Sequence, residues 1–300
     1  MNYESVISGR DLNKKYKDFN LNIPDLEIPK GFSTALIGEN GAGKTTLIDM
    51  MVGIKLDYKG SFTYFGKYSN TELEKNPAVK ERIGYTGTGL YYLPQWTLKQ
   101  AREVQELLFA DFDGSRYDEL CSELAITKDT AFEQNKKVSS LSDGNRTKLM
   151  LAGVLSRQTD LLILDEPASP LDPLMRDKLC DIIRSYLASA EGERSVIFST
   201  HNIADMEAVT DYAIIIEHGE IVEQGFVEDL KEKYIVIKGE SKDAEAARKV
   251  LYSFSSNNYG FEGLCLAERL DELAGLDIST ECPSLSQIAI AVMKNNTVLR

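Results

Sequence analysis

A chain of 300 residues, 43% hydrophobic and 27% charged, has the composition of an ordinary globular protein with room for one generous core or two modest ones. Its formal net charge of -13 opposes a polyanionic backbone and argues against nucleic acid as the main partner, while its longest apolar runs (161–164, 213–216 and 288–293) fall far short of the roughly 20 residues a membrane span needs. Four scattered cysteines (Cys121, Cys180, Cys265, Cys282) and two histidines argue against a zinc site or a disulfide framework and read as small buried hydrophobes, and Met1 to Arg10 carries no secretory signal, so a cytoplasmic location is expected.

In chain order, residues 33–37 read as a short strand ending at a glycine-rich loop, followed by a helix over 44–51 with Leu47, Ile48, Met50 and Met51 at helical spacing. Residues 89–158 read as a helical insertion, firmest at 98–110 and 146–155. Buried strands are predicted at 161–164, ending in Asp165, and at 196–199, ending near His201. A hairpin pairs 212–217 with 220–224 across His218-Gly219. Beyond Tyr234 the pattern restarts as a strand over 234–238, a helix over 243–253, a turn at 256–260 and a last helix at 285–293. Alternating strands and helices predict an α/β sheet with its ligand at the carboxyl ends of the strands.

The chemistry begins at Gly38-Glu39-Asn40-Gly41-Ala42-Gly43-Lys44-Thr45-Thr46, which fits the pattern G-x-x-x-x-G-K-[ST] between a strand and a helix. Glycines let several backbone N–H groups converge on phosphates, and the helix start adds the positive end of its dipole. Lys44 is then expected to reach the β- and γ-phosphates and the Thr45 hydroxyl to bind magnesium. An ordinary glycine turn would match all four positions by chance in roughly one chain of this length in a hundred. Asp165 and Glu166, delivered by the buried strand 161–164, supply what such a loop lacks. Asp165 is expected to hold magnesium through water, and Glu166 to act as general base on the attacking water. Alone, an Asp-Glu pair after a strand is more often a solvated loop; beside the glycine loop the metal's need for an anion reverses that reading.

Leu141-Ser142-Asp143-Gly144-Asn145-Arg146 resembles the signature peptide, usually Leu-Ser-Gly-Gly-Gln, of ATP-binding-cassette ATPases. In the family's order, Ser169-Pro170-Leu171-Asp172 resembles its D-loop, His201 its switch histidine and Tyr16 the aromatic residue that stacks on adenine. The resemblance spans about residues 5–230, and Pro283-Ser284-Leu285 is similar to the ending of single-domain cassettes of bacterial drug and antimicrobial-peptide exporters. It implies an α/β P-loop NTPase core over residues 1–233, with a helical subdomain at about 89–158, and a small C-terminal α+β appendage over 234–300. It implies hydrolysis of ATP with Mg2+, assisted by His201, and a head-to-tail pairing with a second cassette, identical or different, whose ATP would meet Ser142, Gly144 and Asn145. The power stroke would act on a separate membrane-spanning subunit, through which alone the chain would touch the inner face of the cell membrane.

Three positions depart from the family. Thr88 stands where a glutamine usually touches magnesium and the membrane subunit; Gln95 lies seven residues further on and fits worse. Asp143 replaces a glycine near the partner's triphosphate, and Asn145 is one methylene shorter than glutamine, so slower or weaker closure is expected. Two other readings stand beside the transporter: a soluble cassette ATPase outside transport, and a weakly hydrolytic regulatory half of a heterodimer. His218, in the hairpin turn, is given no role.

Overall fold

Aliphatic runs and β-branched residues set the strands of the computed structural model, which describes residues 3–87, 89, 91–126 and 135–298. In chain order these are β1 (Ser5–Lys15), β2 (Asn20–Pro29), β3 (Ser33–Ile37), β4 (Lys59–Tyr64), β5 (Tyr68–Ser69), β6 (Ile83–Thr86), β7 (Leu161–Leu164), β8 (Ser195–Thr200), β9 (Tyr212–Glu217), β10 (Glu220–Phe226), β11 (Tyr234–Glu240), β12 (Tyr252–Ser256), β13 (Gly260–Leu266) and β14 (Ile278–Glu281). They form three sheets. The central one has the order β10-β9-β3-β8-β7-β6, parallel except for the antiparallel edge pair β9–β10. An antiparallel sheet of order β2-β1-β4-β5 covers it near the N-terminus, and β12-β13-β11-β14 forms the third, also antiparallel.

Parallel strands buried on both faces read as unbroken aliphatic runs, and alternate residues then enter different cores. Leu36, Leu161, Ile163, Ile197 and Ile214 pack with helix Lys44–Met51 and the N-terminal sheet. Their neighbours Ala35, Ile37, Leu162, Leu164, Phe198 and Ile215 face a second core, shared with helices Leu98–Leu108, Gly114–Glu123, Asp143–Leu155 and Pro173–Ala188. Helix Leu285–Val298 joins that second core through Leu285, Ile288, Ala289 and Ala291. The parallel register thus brings the carboxyl ends of β3, β7 and β8 to one edge, where the glycine loop, Asp165 and His201 follow.

Three expectations need correction. The helix expected over 243–253 is one short turn, Ala244–Ala247, after a 3-10 segment at Ser241–Asp243. From Tyr252 the backbone pairs with β13 instead, with Tyr252 opposite Leu264 and Ser255 opposite Glu262, and Asn257 Oδ1 closes the turn by accepting from the N–H groups of Tyr259 and Gly260. Strand pairing gives this backbone hydrogen-bond partners on one side, and Val250, Leu251 and Phe261 share one small core. Of the cysteines, Cys121, Cys180 and Cys265 are buried as expected, whereas Cys282 is exposed, because it follows edge strand β14 on the way to the last helix. The last helix runs to Val298 rather than 293. Among the described residues no helix is long and apolar enough to cross a membrane.

Candidate functional site

β3 delivers its last residue straight into the loop Gly38–Gly43. Gly41 and Gly43 adopt φ of +87° and +111°, a region that side-chain-bearing residues avoid, so glycine is required there. Gly38 is held by close approach: a Cβ would stand 2.3 Å from the Ile216 carbonyl oxygen of β9. Gly43 then caps helix Lys44–Met51, whose first residue is itself buried. Lys44 Nζ folds back over the loop, donating to the carbonyls of Gly38 at 2.7 Å and Glu39 at 3.2 Å, and lies 3.4 Å from Glu166 Oε1. Glu39, Asn40 and Gly41 stay exposed, with Ala42 buried beneath them.

The second half of the site comes from β7 and β8. Asp165 is 5% exposed; its N–H donates to the Thr86 carbonyl at 2.8 Å, and its Oδ2 accepts from Thr45 Oγ1 at 2.9 Å. Glu166 has φ of +51°, an uncommon and strained value for a residue with a side chain, and that turn aims its carboxylate at Lys44 on one side and His201 on the other. His201 Nδ1 lies 2.8 Å from Glu166 Oε2. Lys44 and His201 thus meet at Glu166, and Thr45 meets Asp165, the residue before it. Thr45, Thr46, Asn40, Gly41, Gly43 and Lys44 line an open cavity of about 710 Å³ whose far wall holds Tyr16 and Phe19. Tyr16 is 42% exposed, its ring centre 6.1 Å from that of Phe19, with the Lys14 and Lys55 ammonium groups over the ring 5.3 and 5.1 Å from its centre.

Ser142, Gly144 and Asn145 are not among the residues lining that cavity. Ser142 caps helix Asp143–Leu155, its Oγ accepting from the Asn145 N–H at 3.3 Å. Asp143 is largely exposed but pairs at 3.0 Å with Arg146, which also donates to the Ser139 carbonyl, so its charge is partly compensated. Gly144 packs on the 169–172 segment, where a Cβ would meet the Pro170 carbonyl oxygen at 2.8 Å. Thr88 lies outside the described residues.

Three contributors escaped the sequence reading. Ser199, fully buried at the end of β8, touches both Asp165 and Glu166. Asp49, on the loop's helix, and Tyr85, on β6, hydrogen-bond to each other close to Asp165. Burial, then the negative charge of Asp165, pushes the Asp49 carboxyl up from its ordinary value; burial and the same two carboxylates push the Tyr85 hydroxyl up to about 12. Asp49 could have been suspected, since an acid four residues after Thr45 lies on the same helical face.

The chain is similar to known proteins. A family model described as ABC transporter matches residues 21–169. The ABC transporter ATP-binding protein YhaQ of Bacillus subtilis is 32% identical over 216 residues, covering 70% of this chain and 67% of that protein. The energy-coupling factor transporter ATP-binding protein EcfA2 of Lactobacillus gasseri is 28% identical over 243 residues, covering 76% and 82%. Among solved structures, the ATP-binding cassette MJ0796, described as dimeric in a post-hydrolysis state with ADP and Pi, shares the fold with a TM-score of 0.60 at 18% identity, covering 73% of this chain and 98% of that one.

Proposed function

The chain belongs to the ABC transporter family, as one of its ATP-binding ATPase subunits, and on that premise we propose that the loop–carboxylate site hydrolyses Mg2+-bound ATP to drive a separate membrane-spanning subunit in export. The carrying observation is that Lys44 and His201 converge on Glu166 and Thr45 on the adjacent Asp165, beside an open cavity that Lys44, Thr45 and Glu166 line. The triphosphate would lie along the amides of Gly38–Gly43 at the start of the helix, and Lys44 would exchange its loop carbonyls for β- and γ-phosphate oxygens. A hydroxyl and a carboxylate are hard oxygen donors of the kind magnesium takes, with water and phosphate completing its shell. Thr45, and Asp165 through water, would hold the ion, which when bound supplies charge neutralisation between the phosphates.

Glu166 would accept a proton from a water whose oxygen bonds to the γ-phosphorus as the bond to the β–γ bridging oxygen breaks, releasing ADP and inorganic phosphate. His201 would steady Glu166 and reach the γ-phosphate, and Tyr16 would stack on the adenine. Ser142, Gly144 and Asn145 would serve the ATP of a second cassette, with Arg146 reducing the repulsion Asp143 brings to that interface. With Thr88 in place of glutamine, coupling to the membrane subunit would run through other contacts. Export is supported by the Pro283-Ser284-Leu285 ending, and the membrane would be reached only through the partner subunit.

The test is Glu166→Gln, which keeps the His201 contact but removes the base. With ATP and magnesium it is expected to elute as a dimer on gel filtration while the parent chain turns ATP over; a monomer under those conditions refutes the two-cassette mechanism. Mass identification of what co-purifies from detergent-solubilised membranes then decides between a membrane-spanning partner and a soluble one. Asp143 favours one second reading, a slow cassette that fires fully only beside a different partner. Turnover by the purified chain alone at rates ordinary for an ATPase would eliminate it.

A further inference from the structure

We infer that Ser199 is a positioning residue for ATP hydrolysis, a single hydroxyl that sets the orientation of both carboxylate residues at the end of β7. The inference rests on the functional reading of Asp165 and Glu166 given above. In the parallel pairing of β7 with β8, Leu164 stands opposite Phe198, so the next residue on each strand, Asp165 and Ser199, come side by side. Every residue of β8 is buried, and Ser199 is 0% exposed. Its Oγ donates to Asp165 Oδ1 at 2.5 Å and accepts from the Glu166 N–H at 2.8 Å. A hydroxyl has one proton to give, and here it goes to Asp165 while a lone pair takes the Glu166 amide.

Two consequences follow for the chemistry. With Oδ1 of Asp165 held by Ser199, Oδ2 is the oxygen left to face Thr45, so the carboxylate is prevented from turning away from the place where a metal would be held. Meanwhile the Glu166 amide is tied down at the residue with φ of +51°, and it is this turn that sends the side chain toward Lys44 and His201 instead of along the strand. Ser199 acts through Asp165 and Glu166, the two residues its hydroxyl holds. An alanine there would leave a buried carboxylate oxygen without its donor and a backbone N–H without its acceptor, the costly way to lose a hydrogen bond.

The experiment uses the full chain with Ser199→Ala and Ser199→Thr, and reads two quantities: ATP turnover, and the magnesium concentration giving half of the ATP-induced rise in melting temperature. Ser199→Ala is expected to lower kcat about 10-fold while KM for ATP moves less than about 3-fold, the effect of misplacing charged groups rather than losing binding. The magnesium midpoint is expected to rise several-fold, and Ser199→Thr, which keeps the hydroxyl, to recover most of both losses. If Ser199→Ala does not fold, Ser199→Cys, of similar size but a weak donor, takes its place with the same expectation. An active parent with an unchanged alanine variant, or equal impairment by alanine and threonine, overturns the inference alone. A parent chain without turnover overturns the functional reading and the inference together.

Discussion

Glu166 offers a test in which the folded structure predicts the sign of an effect against the usual order of two small residues. Its φ of +51° lies in the left-handed region, which costs an L-residue with a Cβ about 1–2 kcal/mol. Glu166→Ala and Glu166→Gly both remove the contacts with Lys44 at 3.4 Å and His201 at 2.8 Å, so their difference isolates the backbone. Alanine keeps the strain. Glycine releases it but gives back about 0.4–1 kcal/mol through the greater freedom of its unfolded chain. The balance favours glycine by up to about 1.6 kcal/mol, about 0.8 kcal/mol at the middle of both ranges, a few degrees at most in melting temperature. Thermal or urea unfolding without nucleotide should therefore rank Glu166→Gly above Glu166→Ala, with both lacking turnover. At exposed Asp177, inside helix Pro173–Ala188, the same pair of residues should rank the other way. If alanine at 166 proves as stable as glycine, the left-handed turn is wrong, and so is the account of how Glu166 is aimed.

Gly144→Ala would force helix Asp143–Leu155 away from the Pro170 carbonyl; a loss of about 1–3 kcal/mol in unfolding free energy is expected, together with loss of the ATP-dependent dimer in the Glu166→Gln background. Glu207 accepts from the N–H groups of Leu285 at 2.8 Å and Ser286 at 3.4 Å, beyond the helix's own Ser284 and Gln287 caps. Glu207→Ala should cost about 1 kcal/mol, read as faster proteolytic loss of the C-terminal helix. Asp49, raised by burial and by Asp165, is penalised in the folded state once ionised, so that penalty is absent below its ordinary value of 3.8 and grows as pH rises through the folded value. Asp49→Asn should accordingly melt higher than the parent at pH 8 without metal or nucleotide, and the gap should close as pH falls toward 4.

What could be read from the sequence was whatever local chemistry forces on it. Phosphate binding demands glycine at fixed offsets, so Gly38 to Thr46 declared itself, and strands covered on both faces can hardly be other than aliphatic, so β3, β7, β8 and β9 did too. The N-terminal sheet left no such mark: β1 mixes exposed Arg10, Asp11 and Lys15 and a buried Lys14 with its buried Val6, Ile7 and Leu12, so the alternation is blurred. Residues 243–253 carry good helix formers, yet the pairing of Tyr252 with Leu264 decides their last part, and no window of neighbouring residues contains that partner. Ser199 was hidden for the same reason, since its value comes from Asp165, 34 positions away, through the register of two strands.

That register also divides the site mechanically. Asp165 and Ser199 are buried among parallel strands, so their positions are tied to the global stability of the central sheet. Glu166 depends on a strained turn, and His201, its partner, is exposed in the loop after β8. The same loop region continues through the 3-10 turns Ile203–Asp205 and Glu207–Val209, whose Glu207 holds the start of the C-terminal helix. The half that would grip magnesium is therefore held by strands, and the half that would sense the γ-phosphate rests on short turns. Changes in the C-terminal helix accordingly have a physical route to His201 and Glu166 that bypasses Thr45 and Asp165, so they should alter turnover at saturating magnesium before they alter the magnesium requirement.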